Sequence, residues 1–200
     1  RSRRNAEKEE LQQAILHTAA DLFIEVGYQG FSMRQVAERL HYTVGTLYHY
    51  YTNKDDLLLA VMGDAFQHLD RDLEVAFAST SDPLERLRVL AHAYVQFAIT
   101  YPAAYQLLFL ERPDFLLGSR QEASDTSLIA YRVLYRAMQQ ALIAGVIRTG
   151  DAHLYADAFW GQVHGIVTLH LRMSAFFDTE RTHQALNCAI EIWLTGISTT

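Results

Sequence analysis

Residues 32–51 read SMRQVAERLHYTVGTLYHYY, and this stretch predicts two short helices separated by a break. Ser32 and Gln35 have the spacing of a capping box, in which a hydroxyl and an amide satisfy backbone N–H groups at the start of a helix. Thr43 is suited to cap a second helix after the break at His41–Tyr42. Two short helices in this order predict a helix-turn-helix, whose second helix enters the major groove of DNA.

Apolar side chains on both sides of this stretch recur at helical intervals rather than in alternation. Upstream, a first helix is expected to end at Gly27, where a left-handed cap is needed. Its inward face consists of Leu11, Ile15, Ala19, Leu22 and Val26. Downstream, Asn53 is expected to cap a fourth, long helix from Lys54 to about Phe77. The first three helices therefore form a small head, and the fourth leaves it.

Prolines and glycines divide the rest of the chain into further helices. Pro83 and Pro102 are expected to begin helices five and six, because proline is favoured in the first turn of a helix. The remaining predicted segments are a loop over 113–119, a helix from about Gln121 to Ala144, a turn at Gly145 and Gly150, an eighth helix, and a last helix from about Glu180 to Leu194. The count is about nine helices.

The predicted fold is all-α and has two domains. Residues 1–53 form a three-helix helix-turn-helix head with a basic N-terminal arm, Arg1-Ser2-Arg3-Arg4, and this head is predicted to bind DNA. Residues 54–200 form a larger helical body that is predicted to bind an effector and to dimerise.

Charge is distributed unevenly between these two predicted domains. The 200 residues have a net charge of −6; residues 1–54 hold seven Lys/Arg and six Asp/Glu, whereas residues 55–200 hold ten and seventeen. Phosphate binding relies on clustered Lys and Arg. The acidic total thus argues against a nucleic-acid partner, but the nearly balanced N-terminal quarter suits a DNA-facing head.

Several features predict a cytoplasmic protein. Cys188 is the one cysteine in the chain, so no intramolecular disulfide can form. The longest apolar stretch, residues 158–171, is shorter than the roughly 20 residues that a membrane span needs. No apolar run follows the basic N-terminus, so we expect no secretory signal.

The sequence offers little support for catalysis, a metal site or a cofactor. His153 and Asp157 stand four residues apart, as metal ligands on a helix can, but no third ligand follows from the spacing. No glycine-rich phosphate loop or nucleophile elbow is present, and Cys188 lies among apolar neighbours. We therefore predict that the protein is not an enzyme.

The segments Phe31–Ala37 and Thr43–Lys54 resemble the signature of the tetracycline-repressor (TetR) family, and the similarity covers about residues 11–58. The element Trp160–Gly165 and the segment Tyr101–Tyr105 look like the C-terminal domain of one branch, named for its Trp-His-Gly motif. This resemblance implies a homodimer that binds a palindromic operator, most often as a repressor, and leaves DNA when a small molecule fills a pocket in the body.

The resemblance also implies roles for individual residues. Arg34 matches a base-contacting position, Val44 and Gly45 match positions that face the major groove, and others match phosphate contacts. The predicted DNA-binding residues are Ser32, Arg34, Thr43, Val44, Gly45, Thr46, Tyr48, His49, Tyr50 and Lys54. Many members carry a polar residue in place of Val44, so here we expect contact with a thymine methyl group and more reliance on Arg34, the basic arm and DNA shape.

Aromatic side chains of the body are the candidates for an effector pocket, because such pockets are mostly apolar with a few polar groups. The predicted effector-binding residues are Tyr94, Phe97, Tyr101, Tyr105, Phe109, Tyr131, Phe159 and His164. His164 has two interpretations: a hydrogen-bonding group for the effector, or a satisfied buried histidine near the dimer seam, which we expect between helices eight and nine. The expected effector is largely apolar or aromatic.

The leading hypothesis is a ligand-responsive repressor. Two alternatives stay open at this point: a DNA-binding regulator whose body serves only to dimerise or to recruit a partner, and a small-molecule-binding bundle whose DNA-binding head is vestigial.

Overall fold

The computed structural model describes residues 2–111 and 129–199. Within these ranges the chain forms nine α-helices and one π-helical segment, and its β pairing is an isolated bridge between Ile147 and Ser198. The all-α prediction is confirmed. Among the described helices, none combines the length and the hydrophobicity that a membrane span requires.

The α-helices are numbered in chain order. They are α1 (Ser2–Gly30), α2 (Met33–Arg39), α3 (Val44–Tyr48), α4 (Lys54–Ala78), α5 (Pro83–Thr100), α6 (Pro102–Gln106), α7 (Ile129–Ile143), α8 (Ala152–Arg172) and α9 (Thr179–Ile197). The π-helical segment, Leu107–Glu111, follows α6 directly. The predicted loop over 113–119 and the predicted start of a helix near Gln121 lie outside the described residues.

The chain divides into two compact units. The first unit comprises Arg1–Phe66 and Tyr101–Gly118, and the second comprises Gln67–Thr100 and Ser119–Thr200. The first unit therefore contains α1, α2, α3, the first half of α4, α6 and the π-helical segment. The functional boundary predicted between residues 53 and 54 remains a prediction.

In the first unit, α1 packs against α2 and α6, and α2 packs against α3. The core side chains of this unit are almost fully buried and include Ile15, Ala19, Phe23, Val36, Ala37, Leu47, Leu57 and Leu58. Burial of a valine, leucine, isoleucine or phenylalanine side chain stabilises the fold by about 1.5–3 kcal/mol relative to exposure. This core fixes the angle between α2 and α3.

Helix α1 differs from its predicted end. Gly27 has φ 66° and ψ 178°, a conformation that is essentially restricted to glycine. The helix is interrupted there, as the sequence indicated, but it resumes and ends at Gly30. Gly27 is therefore a kink rather than a terminus.

Side-chain caps begin the helices of the first unit. The backbone N–H of Gln35 donates to Ser32 Oγ (3.4 Å), that of Thr46 to Thr43 Oγ1 (3.3 Å), and that of Asp56 to Asn53 Oδ1 (2.9 Å). All three predicted caps are confirmed. The Gln35 side chain departs from the capping-box pattern, because its Oε1 accepts from the Ser32 hydroxyl (2.6 Å).

The break between α2 and α3 is a Schellman motif. His41 has φ 59°, and the N–H groups of His41 and Tyr42 donate to the carbonyls of Glu38 (3.2 Å) and Ala37 (2.9 Å). These two bonds satisfy carbonyls that the end of a helix leaves unpaired. A non-glycine residue in this left-handed region is uncommon, and this use of His41 was not predicted.

The second unit is a helical bundle in which α5 packs against α7, α8 and α9. Its buried residues include Leu87, Val95, Ala98, Val133, Met138, Val163, Leu186 and Ile190. The predicted first-turn prolines Pro83 and Pro102 begin α5 and α6. Asp151 and Asp178 cap α8 and α9 through backbone N–H groups of the first turn.

Candidate DNA-binding surface and effector site

The solvent-facing surface of α2 and α3 carries polar, small, apolar and aromatic residues, whereas other side chains of both helices are buried. Its exposed members are Arg34, Thr43, Val44, Gly45, Tyr48 and His49. Their buried neighbours Val36 and Leu47 hold the two helices in place. Six of the ten predicted DNA-binding residues, all on α2 or α3 or directly beside α3, are therefore exposed to solvent.

Arg34 extends from α2 into solvent, with 83% of its side chain exposed. Its Nε donates to Glu38 Oε1 at 2.7 Å, one helical turn away. This hydrogen bond, followed by the Coulombic attraction of Glu38, raises the pKa of Arg34. The guanidinium is thus a permanent cation at the edge of the surface, oriented by an ion pair.

The exposed side of α3 is mainly apolar and aromatic. Val44 is 37% exposed and Tyr48 is 54% exposed. Thr46 is half-buried, and its hydroxyl lies 3.0 Å from that of Thr43. Tyr42, which was not among the predicted site residues, is also exposed just before α3. The sequence feature that could have identified Tyr42 as a site residue is its position in the break between the two predicted helices.

Lys54 points toward α1 rather than outward. Its Nζ donates to the carbonyl oxygen of Tyr28 at 3.2 Å and lies 4.1 Å from the centre of the Tyr28 ring. Tyr50 is half-buried, with Lys8 Nζ 5.9 Å from the centre of its ring. The predicted phosphate contacts of Lys54 and Tyr50 remain predictions, and that of Lys54 requires its ammonium to turn outward.

Tyr28 is also held by two carboxylates. Its hydroxyl donates to Asp55 Oδ1 at 2.7 Å, and its backbone N–H donates to Glu111 Oε2 at 3.2 Å. Glu111 belongs to the π-helical segment, so this segment is bonded to α1 beside the kink at Gly27. Neither Tyr28 nor Glu111 was singled out from the sequence, because 83 residues separate them.

The predicted effector-binding residues are divided between the two units. Tyr101, Tyr105 and Phe109 belong to the first unit, where Tyr105 is fully buried and its ring centre lies 4.9 Å from that of Phe109. The second unit contains the other five, which are Tyr94, Phe97, Tyr131, Phe159 and His164. Phe159 packs edge-on against Trp193, with 4.8 Å between ring centres, and contributes to the core between α8 and α9.

Tyr94 lies at the centre of a polar cluster in the second unit. Trp160 Nε1 donates to the Tyr94 hydroxyl at 3.1 Å, and the same hydroxyl lies 3.4 Å from His164 Nδ1. Burial lowers the pKa of His164, so this histidine favours its neutral form. The structure places His164 in a hydrogen-bonded position, which fits either of its predicted roles.

Tyr131 forms a second polar cluster closer to solvent. Its hydroxyl donates to Asp157 Oδ1 at 2.8 Å and lies 3.2 Å from His153 Nδ1. Burial, followed by the hydrogen bond to Asp157, raises the pKa of Tyr131 to about 12. The phenol therefore stays protonated at neutral pH. In the part of the chain that the structure describes, no group of three or more metal-ligating side chains is present.

Helices α8 and α9 also expose apolar and small residues. Leu154, Leu169 and Ile192 are exposed, as are Gly161, Gly165 and Cys188. An added Cβ at Gly161 or Gly165 meets nothing within 4 Å. Large exposed apolar groups next to small residues are typical of a surface that another protein surface covers.

Two protein-family models match the sequence. Residues 15–61 match the N-terminal model described as bacterial regulatory proteins of the tetR family, and residues 87–188 match the model described as a tetracyclin repressor-like C-terminal domain. The second match alone covers half of the chain.

The curated relatives include both a transcriptional repressor and a transcriptional activator. The transcriptional repressor KstR of Mycolicibacterium smegmatis is 33% identical over 81 residues, which are 40% of each protein. The transcriptional activator FasR of the same organism is 28% identical over 102 residues, 51% of this chain and 47% of FasR. The matched segments thus span less than half the length of either relative.

The fold is also found in solved structures. The structure of AibR in complex with isovaleryl coenzyme A and operator DNA has a TM-score of 0.75 and 24% identity, and the match covers 90% of this chain and 96% of AibR. This similarity shows a shared fold.

Proposed function

The chain belongs to the TetR family of bacterial transcription regulators, and from this we propose that it is a repressor that binds a palindromic operator as a homodimer and leaves it when a small molecule binds. The observation that carries the proposal is the surface of α2 and α3. Its exposed residues are those that match the family's DNA-binding positions, and its buried residues fix the angle between the two helices. The proposed location is the cytoplasm.

We assign sequence readout to α2 and α3 in the following way. Arg34 donates to a guanine edge, and Val44 contacts a thymine methyl group, because a valine has no hydrogen-bonding group for base edges. Gly45 lets the backbone approach the groove, and the hydroxyl of Tyr48 bonds a phosphate. Phosphate contacts set the register of the protein, and base contacts specify the sequence.

The exposed face of α8 and α9 supports the homodimer. In an isologous dimer the same surface of both protomers is buried, and this face offers large apolar side chains beside glycines that allow close helix packing. The two recognition helices of such a dimer enter successive major grooves, roughly 34–36 Å apart. A palindromic operator follows from this two-fold symmetry.

The response to an effector is proposed because AibR, which shares the fold, has been solved with both a small molecule and operator DNA. An effector acts only by binding one conformation more tightly than another. Within the first unit, the bond from Tyr28 to Glu111 joins α1 to the segment after α6, and we assign to it a role in transmitting the change to the DNA-binding helices. Repression rather than activation is the choice that matches KstR.

The decisive experiment measures binding to the DNA upstream of the protein's own gene by fluorescence anisotropy, with unrelated DNA as competitor. The wild type and Arg148→Ala, a variant of an exposed residue in the second unit, should both bind specifically. Arg34→Ala should lose most of this specificity. If Arg34→Ala and Tyr48→Ala both bind like the wild type, the assignment of α2 and α3 is wrong.

A further inference from the structure

One face of α8 carries polar and aromatic side chains where a packed helix usually carries aliphatic ones. His153, Asp157, Trp160 and His164 follow one another at intervals of four, three and four residues, which places them on one side of the helix. They meet Tyr131 and Tyr135 of α7 and Tyr94 of α5. We call these seven residues the α8 polar face.

The outer end of the α8 polar face is exposed. His153 and Asp157 are open to solvent, and Tyr131 is half-buried. The single proton of the Tyr131 hydroxyl lies in the hydrogen bond to Asp157. His153 Nδ1 must therefore be the donor in its contact of 3.2 Å with the same hydroxyl. The outer end is therefore a directed chain of hydrogen bonds that ends on the Asp157 carboxylate.

The inner end is directed in the same way. The Trp160 N–H donates to the Tyr94 hydroxyl, which in turn faces His164 Nδ1. Donation by this hydroxyl requires the His164 tautomer with its proton on Nε2. The edge-on contact between the rings of Tyr131 and Trp160, with centres 6.4 Å apart, connects the two ends.

Flat rings make up most of this face. The His153 ring stacks on that of Tyr135, with centres 4.0 Å apart and planes 16° apart, and it is nearly parallel to that of Tyr131. The carboxylate of this face is Asp157, which bonds the Tyr131 phenol; of the two arginines of α7, Arg136 is paired with Glu74 at 2.7 Å and Arg132 is exposed. Aromatic faces beside a carboxylate attract cations and hydrogen-bond donors and repel anions.

We propose that the α8 polar face binds a planar, apolar ligand carrying a hydroxyl or protonated amine that donates to Asp157, and that it discriminates against ligands with an anionic group at that point. The proposal rests on the proposed function, because it defines the chemistry of the effector. The ligand's rings lie against Tyr131 and Trp160. The donor lies at the exposed end, where a charged group keeps part of its hydration.

Three bicyclic probes that share one ring system test this proposal: 2-naphthylmethylamine, 2-naphthol and 2-naphthoate. Isothermal titration calorimetry on the full-length protein should show that the amine and the alcohol bind. The affinity for 2-naphthoate should be at least tenfold lower. Asp157→Asn should reduce the preference for the amine over 2-naphthoate to less than threefold. Asp72→Asn, which removes an exposed carboxylate elsewhere in the second unit, should retain the full preference.

A second variant tests the ring platform. Trp160→Leu should lower the affinity for the amine and the affinity for the alcohol to a similar extent. Circular dichroism verifies that the helices of this variant persist. The proposal is overturned if no probe binds the wild type, if 2-naphthoate binds as tightly as the amine, or if Asp157→Asn keeps the preference. Operator binding by Asp157→Asn without ligand is measured in parallel. If the variant still binds the operator, a negative result with the probes contradicts only the proposed ligand chemistry and not the proposed function as a regulator.

Discussion

The carboxylate of Glu111 accepts a hydrogen bond from the backbone N–H of Tyr28, with 3.2 Å between Oε2 and N. The bond lies beside the non-helical residue Gly27, which interrupts the hydrogen-bond ladder of α1. Glu111 therefore supplies an acceptor from a distant part of the sequence at the point where α1 is kinked. Lys54 and Asp55 bond the carbonyl and the hydroxyl of the same tyrosine, so Tyr28 joins α1, α4 and the π-helical segment.

Removal of this acceptor should destabilise the first unit. Glu111→Ala leaves a partly buried N–H without its partner, and we expect it to lower the free energy of unfolding by about 1–3 kcal/mol. Glu111→Gln should cost less, because its amide oxygen can still accept the bond. Urea denaturation followed by circular dichroism measures both, with the exposed Glu10→Ala as control. Equal stabilities of Glu111→Ala and Glu10→Ala would contradict this role.

A substitution in the turn between α2 and α3 should increase the stability of the protein. His41 adopts φ 59°, and a left-handed conformation costs an L-residue roughly 1–2 kcal/mol relative to glycine. His41→Gly should therefore raise the midpoint of thermal unfolding, whereas His41→Val, which adds a β-branched side chain, should lower it. If both variants change the midpoint in the same direction, the backbone conformation does not determine the stability of this turn.

The features predicted correctly from sequence are mainly those that depend on close neighbours. Ser32, Thr43 and Asn53 were identified as caps because a cap bonds a backbone N–H three residues away. Pairs such as Tyr28 with Glu111 and Tyr131 with Asp157 are 83 and 26 residues apart. No local pattern specifies them, since they depend on how the helices pack.

Lys54 also shows that a contact between residues far apart in the sequence cannot be predicted from the local pattern. Its place after Asn53 correctly indicated the start of α4, but the direction of its side chain depends on Tyr28, which lies 26 residues earlier. The aromatic residues of the body behave similarly. Their spacing predicted buried faces, but the division of Tyr105 and Phe159 between two units follows from the three-dimensional fold.

Arg34 and Tyr48 should affect operator binding in different ways. Arg34→Ala removes a proposed base contact, so it should cost about 1–3 kcal/mol and relax the preference at one base pair. Tyr48→Phe removes a proposed phosphate contact, so it should weaken binding to all sequences alike. Anisotropy titrations against a set of singly substituted operators measure both effects. A change of base preference in Tyr48→Phe without one in Arg34→Ala would reverse these assignments.

The proposed dimer surface can be tested with two isoleucines. Ile192 of α9 is 66% exposed, and Ile143 at the end of α7 is 85% exposed. Ile192→Glu places a charge within the proposed α8–α9 interface and should yield monomers that no longer bind a palindromic operator tightly, because burial of an unpaired charge is costly. Ile143→Glu should remain dimeric. Sedimentation velocity measures both, and a dimeric Ile192→Glu would exclude this part of α9 from the interface.

His164 should make the stability of the protein depend on pH. Burial lowers its pKa in the folded state below the ordinary value of 6.5, so just below pH 6.5 the unfolded chain binds the proton more readily than the folded chain. Protonation then favours unfolding. The contribution of neutral His164 is complete above pH 6.5, and it decreases as the pH falls until the lowered pKa is reached.

Two substitutions separate this effect from general loss of packing. His164→Gln keeps a polar side chain that does not titrate, so its midpoint of thermal unfolding should fall less than that of the wild type between pH 7.5 and pH 5.5. Tyr94→Phe removes the hydroxyl beside His164 Nδ1 but keeps the imidazole, so most of the pH dependence should persist. Burial also lowers the pKa of His92, which is why some dependence should remain in His164→Gln. Parallel curves for His164→Gln and the wild type would show that His164 is not titrated on unfolding in this range.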